Sequence, residues 1–137
     1  MNTVKVLIGW SGKNYSASVA GDYVNGCVIV TEKTIDGVKK ALREALDFHI
    51  EGSIKDGDKL ETWLVNGNYK FEYSFTASAL LHSLDGVITR AAISRATGIN
   101  EKLLGHYAMG HRTPRDAQRQ RIVDGIHTIG KDLVSVI

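Results

Sequence analysis

Residues 88–114, ITRAAISRATGINEKLLGHYAMGHRTP, decide how the second half of this chain folds. Two short helical patterns, residues 89–97 and 100–109, meet at Gly98, where a glycine permits the positive φ of a tight turn. Ser94 is small enough to let the second helix pack closely on the first. The stretch therefore predicts a helix-turn-helix, with an ordinary αα-hairpin in a helical bundle as the alternative.

The second helix of this pair carries the polar side chains that would read base edges in a major groove. These predicted base-reading residues are Asn100, Glu101, Lys102 and His106. Lys102 would contact either a guanine or only a phosphate, and both readings stay open. The other predicted DNA-binding residues are the N-cap candidate Thr89 and four basic residues, Arg90, His111, Arg112 and Arg115. The basic residues would bind phosphates, with a guanine as the alternative for Arg90.

Charge and a final helical pattern support a polyanion partner for the same half. Residues 1–75 hold nine Lys/Arg and ten Asp/Glu, whereas residues 76–137 hold eight Lys/Arg and five Asp/Glu, a net charge of +3. A solvated, arginine-rich surface would give the same count. Thr113 and Pro114 predict the start of a last helix of about twenty residues, with an apolar stripe at Ile122, Ile126, Ile129 and Leu133.

The first half alternates like strands and then changes to a helical period. Residues 3–10, 15–20 and 27–31 predict an antiparallel meander whose third strand lies inside the sheet. Thr34 begins an amphipathic helix that Gly52 would end, residues 60–65 give a short possible strand, and residues 69–75 give another. The order β-β-β-α-β predicts an α+β unit over residues 1–75, followed by an all-α unit over 76–137.

Two family resemblances agree with this division. Thr89-Arg90, the Ser94 to Gly98 spacing and Gly110-His111-Arg112-Thr113-Pro114 resemble the Xre/Cro type of helix-turn-helix, although that family usually has Gln at the position of Arg90 and Ala at that of Ser94. Residues 26–52, GCVIVTEKTIDGVKKALREALDFHIEG, resemble the signature of HicB antitoxins, with Asn25 where that family often has Pro. The HicB resemblance covers about residues 4–75 and implies a reduced RNase H-like fold.

The joint resemblance implies a type II antitoxin that binds a HicA-like mRNA interferase and represses its own operon through operator DNA. It also implies a homodimer or higher oligomer in a bacterial cytoplasm. Lys5, Tyr15 and Tyr73 are the candidate toxin contacts on the sheet. A stand-alone DNA-binding regulator, whose first domain dimerises or senses a ligand, is the alternative function.

An enzyme is the third possibility, and the residues argue against it. RNase H-type catalysis needs several converging carboxylates, whereas Glu32 and Glu72 flank the predicted elements and do not cluster. His106 and His111 do not share a helix face, and a single cysteine, Cys27, predicts a buried strand position rather than a nucleophile. We therefore expect no catalytic residues, no metal and no cofactor. The start of the chain has no signal-peptide pattern, and no apolar run reaches the ~18 residues that span a membrane.

Overall fold

The computed structural model describes residues 2–137 as a mixed α+β protein with one four-stranded sheet and six helices. The chain divides into two compact units, Met1–Thr76 and Ala77–Ile137, where the sequence predicted a boundary between Phe75 and Thr76. Met1, the first residue of the predicted domain, lies outside the described residues. No helix among the described residues is long and apolar enough to cross a membrane. The elements are β1 Asn2–Trp10, β2 Tyr15–Val19, β3 Ile29–Glu32, α1 Ile35–Lys55, α2 Thr62–Val65, β4 Tyr69–Phe75, α3 Ala77–Ser83, α4 Arg90–Thr97, α5 Glu101–Ala108 and α6 Asp116–Val134.

The sheet of the first unit has the strand order β3-β2-β1-β4. Strands β1, β2 and β3 form the predicted antiparallel meander. Strand β4 returns to lie parallel to β1, with Val4 opposite Phe71 and Ile8 opposite Phe75. The first and last strands of the unit are therefore neighbours, and β3 and β4 are the two edges.

Helix α1 covers one face of this sheet because its apolar stripe matches the inward side of the strands. Val38, Leu42, Leu46 and Ile50 are buried along α1, and Val4, Val6, Ile8 and Ala17 are buried beneath it. The predicted cap is confirmed, since the Thr34 hydroxyl accepts a hydrogen bond from the Gly37 N–H at 3.0 Å. The Lys39 ammonium lies 4.4 Å from the Tyr73 ring centroid, and the Arg43 guanidinium 4.7 Å from that of Phe71.

Several predictions in the first unit are wrong at the element ends. The third strand is an edge strand, and Cys27 precedes it in an exposed position rather than in a buried one. Helix α1 continues through Gly52 because Ser53 beyond it still packs inward, and it ends at Lys55. Residues 60–65 contain the short helix α2 instead of a strand.

The second unit is helical and encloses its own core. Leu81, Ile93, Ile99, Leu104, Tyr107, Ala108 and Ile122 form that core, with Ile126 and Ile129 packed against it. Helix α3 packs on α5, and α4 packs on both α5 and α6. The predicted start of α6 is wrong: Arg115 is the N-cap residue, so Thr113 and Pro114 precede the helix. Leu133 is 63% exposed, so the predicted stripe leaves the core before α6 ends.

Candidate nucleic-acid interface

A short turn fixes the geometry of helices α4 and α5. Gly98 has the left-handed φ of 74°, and its N–H donates to the Ser94 carbonyl at 2.8 Å. The Ser94 hydroxyl donates to the Ile99 carbonyl on the far side of the turn. The Thr97 hydroxyl donates to the Ile93 carbonyl at 2.8 Å and accepts from the Ile99 N–H at 3.1 Å. The polar groups of the turn are thus paired locally, which holds the two helices at one fixed angle.

A residue of α6 that the sequence did not indicate also contacts this turn. Arg121, on α6, donates through Nη2 to the Thr97 carbonyl at 2.7 Å and through Nη1 to Gln118 Oε1 at 3.0 Å. The bond to Thr97 satisfies a carbonyl at the end of α4 that has no partner within the helix. Twenty-four residues separate the two partners, so only the packing of α6 against α4 reveals the contact.

The N-terminal turn of α5 presents its polar side chains to solvent. Glu101 and Lys102 are exposed, while Leu104 and Tyr107 are buried on the opposite side. Asn100 is the N-cap of α5, and its Oδ1 accepts from the Lys102 N–H at 2.8 Å. The side-chain oxygen of Asn100 is therefore bound to its own helix, and the side-chain nitrogen, Nδ2, is the group that can reach a base.

The segment that follows α5 is exposed and basic. His111, Arg112, Thr113 and Arg115 are exposed. Residues 111–121 contain four arginines and one aspartate, a net charge of +3. A shallow groove of about 450 Å³ beside the N-terminus of α6 is lined by Tyr107, the segment from Arg112 to Arg115, Ala117 and Gln118. This groove and the exposed end of α5 belong to the same unit.

Two predicted contact residues have internal partners that the sequence did not indicate. Arg90 forms an ion pair with Asp85 at 3.2 Å, and Asp85 also lies 3.7 Å from His82 Nδ1. The guanidinium is thus partly neutralised at the start of α4, where the Thr89 hydroxyl accepts from the Ala92 N–H at 3.0 Å. A DNA phosphate would have to compete with Asp85 for Arg90.

The two predicted histidines lie together at the end of α5. The ring centroids of His106 and His111 are 5.9 Å apart, and the His111 N–H donates to the His106 carbonyl at 3.0 Å. His106 is half-buried and His111 is exposed. Among the described residues, no group of three or more His, Cys, Asp or Glu side chains is arranged to hold a metal ion.

The predicted toxin contacts separate onto different sides of the first unit. Tyr15 is only 7% exposed and packs on Trp10 at 4.8 Å between ring centroids, so it belongs to the core. Tyr73 faces α1 beneath Lys39, and burial raises the pKa of its phenol. Strand alternation turns both rings towards the helix, so the buried Tyr15 is not on the uncovered face, whereas Tyr73, half-buried on the edge strand β4, stays a prediction. Lys5 alone lies on the uncovered face of the sheet.

That uncovered face carries two apolar side chains that the sequence analysis did not select. Leu7 is 40% exposed and Ile29 is 61% exposed. Ser18 lies between them in the strand register, opposite Leu7 on one side and Ile29 on the other. Alternation of buried and exposed positions along β1 is the signal that identifies Leu7.

No protein-family model matches this chain, and no curated protein matches it.

Proposed function

We propose that the chain is a non-catalytic antitoxin of the HicB type that neutralises a HicA-like mRNA interferase and represses its own operon by binding operator DNA. The observation that carries this proposal is the exposed N-terminal turn of α5, held by the Gly98 turn and followed by a basic segment. A recognition helix needs this combination of a fixed axis, exposed polar side chains at its start and nearby cations.

In the proposed DNA complex, the two exposed residues of the α5 N-terminus lie against base edges. Lys102 would donate to guanine O6 and N7, and Glu101 would accept from a cytosine amino group. Arg112 and Arg115 would bind phosphates on either side, together with the N–H groups at the N-terminus of α6. Because phosphate contacts do not depend on sequence, this division assigns specificity to α5 and affinity to the arginines.

A second copy of the chain would complete operator recognition, since one recognition helix reads too few base pairs. The C-terminal end of α6 supports such pairing. Leu133 and Val134 in the last turn of α6, and Val136 just beyond the helix, are each more than 60% exposed. An apolar surface of this kind is typical of a contact between copies.

Toxin binding is proposed for the uncovered face of the first unit. Leu7 and Ile29 supply apolar area there, and Lys5 and Glu72 lie opposite each other in the register of β1 and β4. A basic or mixed protein surface can pack on such a face without entering the core of the unit.

The DNA half of the proposal is tested by titrating the full chain on the duplex upstream of its gene and on a scrambled duplex, at several salt concentrations. Lys102→Ala should lose ~1–3 kcal/mol on the operator and much less on the scrambled duplex if it reads a base. Arg112→Glu should weaken binding to both and flatten the salt dependence. Lys55→Glu is the matched control for charge, because this exposed lysine ends α1 in the first unit and belongs to neither proposed binding surface.

The toxin half is tested with the same full chain, co-expressed with the neighbouring reading frames and followed by pull-down and growth rescue. Leu7→Glu should abolish capture and rescue while operator binding stays intact. Lys102→Ala should weaken operator binding while capture and rescue stay intact. If no neighbouring product is captured by the wild-type chain and operator binding persists, the chain is a stand-alone regulator and the antitoxin proposal is wrong.

A further inference from the structure

Strand β4 is an edge strand whose two charged side chains, Lys70 and Glu72, are of opposite sign. It is seven residues long, regular, and contains neither proline nor glycine. By contrast, the other edge, β3, is only four residues long. Long regular edges rich in aromatic residues are templates for pairing with another strand.

The backbone of β4 alternates between its neighbour β1 and the open side. The Thr76 N–H donates to the Ile8 carbonyl of β1 at 2.9 Å, which places the even-numbered residues of β4 towards β1. The N–H and C=O groups of Tyr69, Phe71 and Tyr73 therefore point outwards from the sheet. An added strand would hydrogen-bond to these three residues.

The sequence at this edge, Tyr69-Lys70-Phe71-Glu72-Tyr73, is complementary to itself when it is reversed about Phe71. We propose that β4 pairs antiparallel with β4 of a second copy of this chain, with the twofold axis at Phe71. In this register each tyrosine faces a tyrosine, Phe71 faces Phe71, and each Lys70 faces a Glu72. The two sheets then join into one sheet of eight strands, across an interface that uses the same surface on both copies.

Charge selects this register over its neighbours. An axis at Glu72 would place two carboxylates directly opposite each other, which is unfavourable. An axis at Tyr73 would place Lys70 against Thr76 and Glu72 against Ser74, and no charge pair would form. Only the axis at Phe71 makes two Lys–Glu pairs and also brings the outward-facing residues together as hydrogen-bonded pairs.

Two basic side chains of α1 lie over the aromatic rings of this edge strand. Arg43 lies over Phe71 and Lys39 over Tyr73, and successive rings Tyr69, Phe71 and Tyr73 have centroids 5.4 and 5.9 Å apart. The rings are thus ordered in a row before any partner arrives. On the other face of the sheet, the Cα register places Glu72 beside Lys5 of β1. In the paired sheet, Glu72 would therefore lie between Lys5 of its own copy and Lys70 of the second copy.

The pairing concerns only the first unit and is tested without DNA and without toxin, because Glu72 also lies on the face proposed for toxin binding. The test is sedimentation equilibrium of the full chain and of two charge-reversal variants at exposed positions. Lys70→Glu makes the edge wholly acidic and Glu72→Lys makes it wholly basic, so each variant should self-associate about tenfold more weakly or worse. An equimolar mixture of the two variants should regain wild-type association, because each faces its opposite. Any contact made by the second unit is the same in all samples.

Cysteine pairing gives a second measurement that does not depend on charge. In a Cys27→Ser background, Lys70→Cys and Glu72→Cys proteins are mixed and mildly oxidised. Residues 70 and 72 of the two copies form a non-hydrogen-bonded pair with Cα atoms ~4.5 Å apart, so a covalent heterodimer should form rapidly. Lys70→Cys alone should cross-link poorly, because its two copies lie roughly 8 Å apart along the diagonal. Unchanged association of both charge variants, or equal cross-linking of single and mixed cysteine proteins, would overturn the proposal.

Discussion

Gly125 is buried where α6 crosses α4, and it sets how closely the two helices approach. A Cβ at this position would collide with Thr97 Cγ2 and would lie 3.6 Å from the Ala96 backbone. Thr97 cannot rotate away without losing its hydrogen bonds to Ile93 and Ile99. The lack of a side chain at Gly125 thus leaves room for Thr97, whose hydrogen bonds hold the turn before α5.

The first prediction compares two glycines in the same helix. Gly125→Ala should destabilise the second unit by ~1–3 kcal/mol, because the methyl group overpacks the contact with Thr97. Gly130→Ala is the matched control: a Cβ there meets no described heavy atom within 4 Å, so higher helix propensity should stabilise the unit by ~0.5–1 kcal/mol. Urea unfolding at neutral pH measures both effects. Equal shifts of the two midpoints would show that propensity alone decides.

Residue-scale expectations from the sequence succeeded where one local rule was enough. Thr34 and Thr89 cap their helices, and Gly98 takes its positive φ, because each depends on neighbours within a few residues. The burial of Tyr15 was not foreseen because strand alternation does not say which face a later helix will cover. The hydrogen bond from Arg121 to the Thr97 carbonyl was not predicted, because it depends on packing between segments 24 residues apart in the sequence.

At the scale of an element, α6 begins without the usual capping chemistry. Its N-cap is Arg115, which makes no side-chain capping bond within the described chain, although Asp116 in the first turn favours the helix dipole. Serine, threonine, aspartate or asparagine is preferred at this position. A locally unfavourable residue at an exposed helix start is the pattern expected where function competes with stability.

The second prediction uses this conflict. Arg115→Ser should stabilise the second unit by ~0.5–1 kcal/mol through a new cap, and at the same time weaken DNA binding through loss of a phosphate contact. Thermal unfolding and a salt-dependent DNA titration on one protein preparation check the two effects. Arg95→Ser, an exposed substitution inside α4, controls for loss of charge without gain of a cap. Stabilisation with unaltered DNA affinity would remove Arg115 from the interface.

Element types were largely predictable, and their ends were not. The 3.6-residue period of α1 and the alternation of β1 and β4 identified these elements correctly. Gly52 was taken as a helix end, but packing of Ser53 carries α1 past it. The positive-φ glycine that follows the helix is Gly57, whose N–H donates to the Ile54 carbonyl at 3.0 Å. Interior contacts outweigh the propensity cost of a single glycine.

At the scale of the whole molecule, each unit has a core built from its own residues. Leu42 is fully buried in the first unit and Leu104 in the second. The open sheet face and the exposed end of α5 are thus supported by separate cores. Such a division lets the surface of one unit change without unfolding the other unit.

The third prediction follows from the separate cores. Leu42→Ala should cost ~2–5 kcal/mol and lower amide-exchange protection within residues 2–76, and Leu104→Ala should do the same within residues 77–137. Hydrogen exchange followed by mass spectrometry of peptides measures the distribution. Loss of protection throughout the chain from either substitution would mean that the units unfold as one.

The pairing of β1 with β4 has a consequence for how the protein is made. Val4 and Phe71 are opposite each other although 67 residues separate them. Strand β1 therefore cannot complete its pairing until β4, the last strand of its unit, is present. Closing so long a loop is entropically slow, and it places the parallel pairing late in folding. During translation at ~5–20 residues per second, β1 stays open on one side until β4 has been synthesised. A nascent chain that stops before Tyr69 exposes β1 as an edge, and that product is open to proteases and to aggregation.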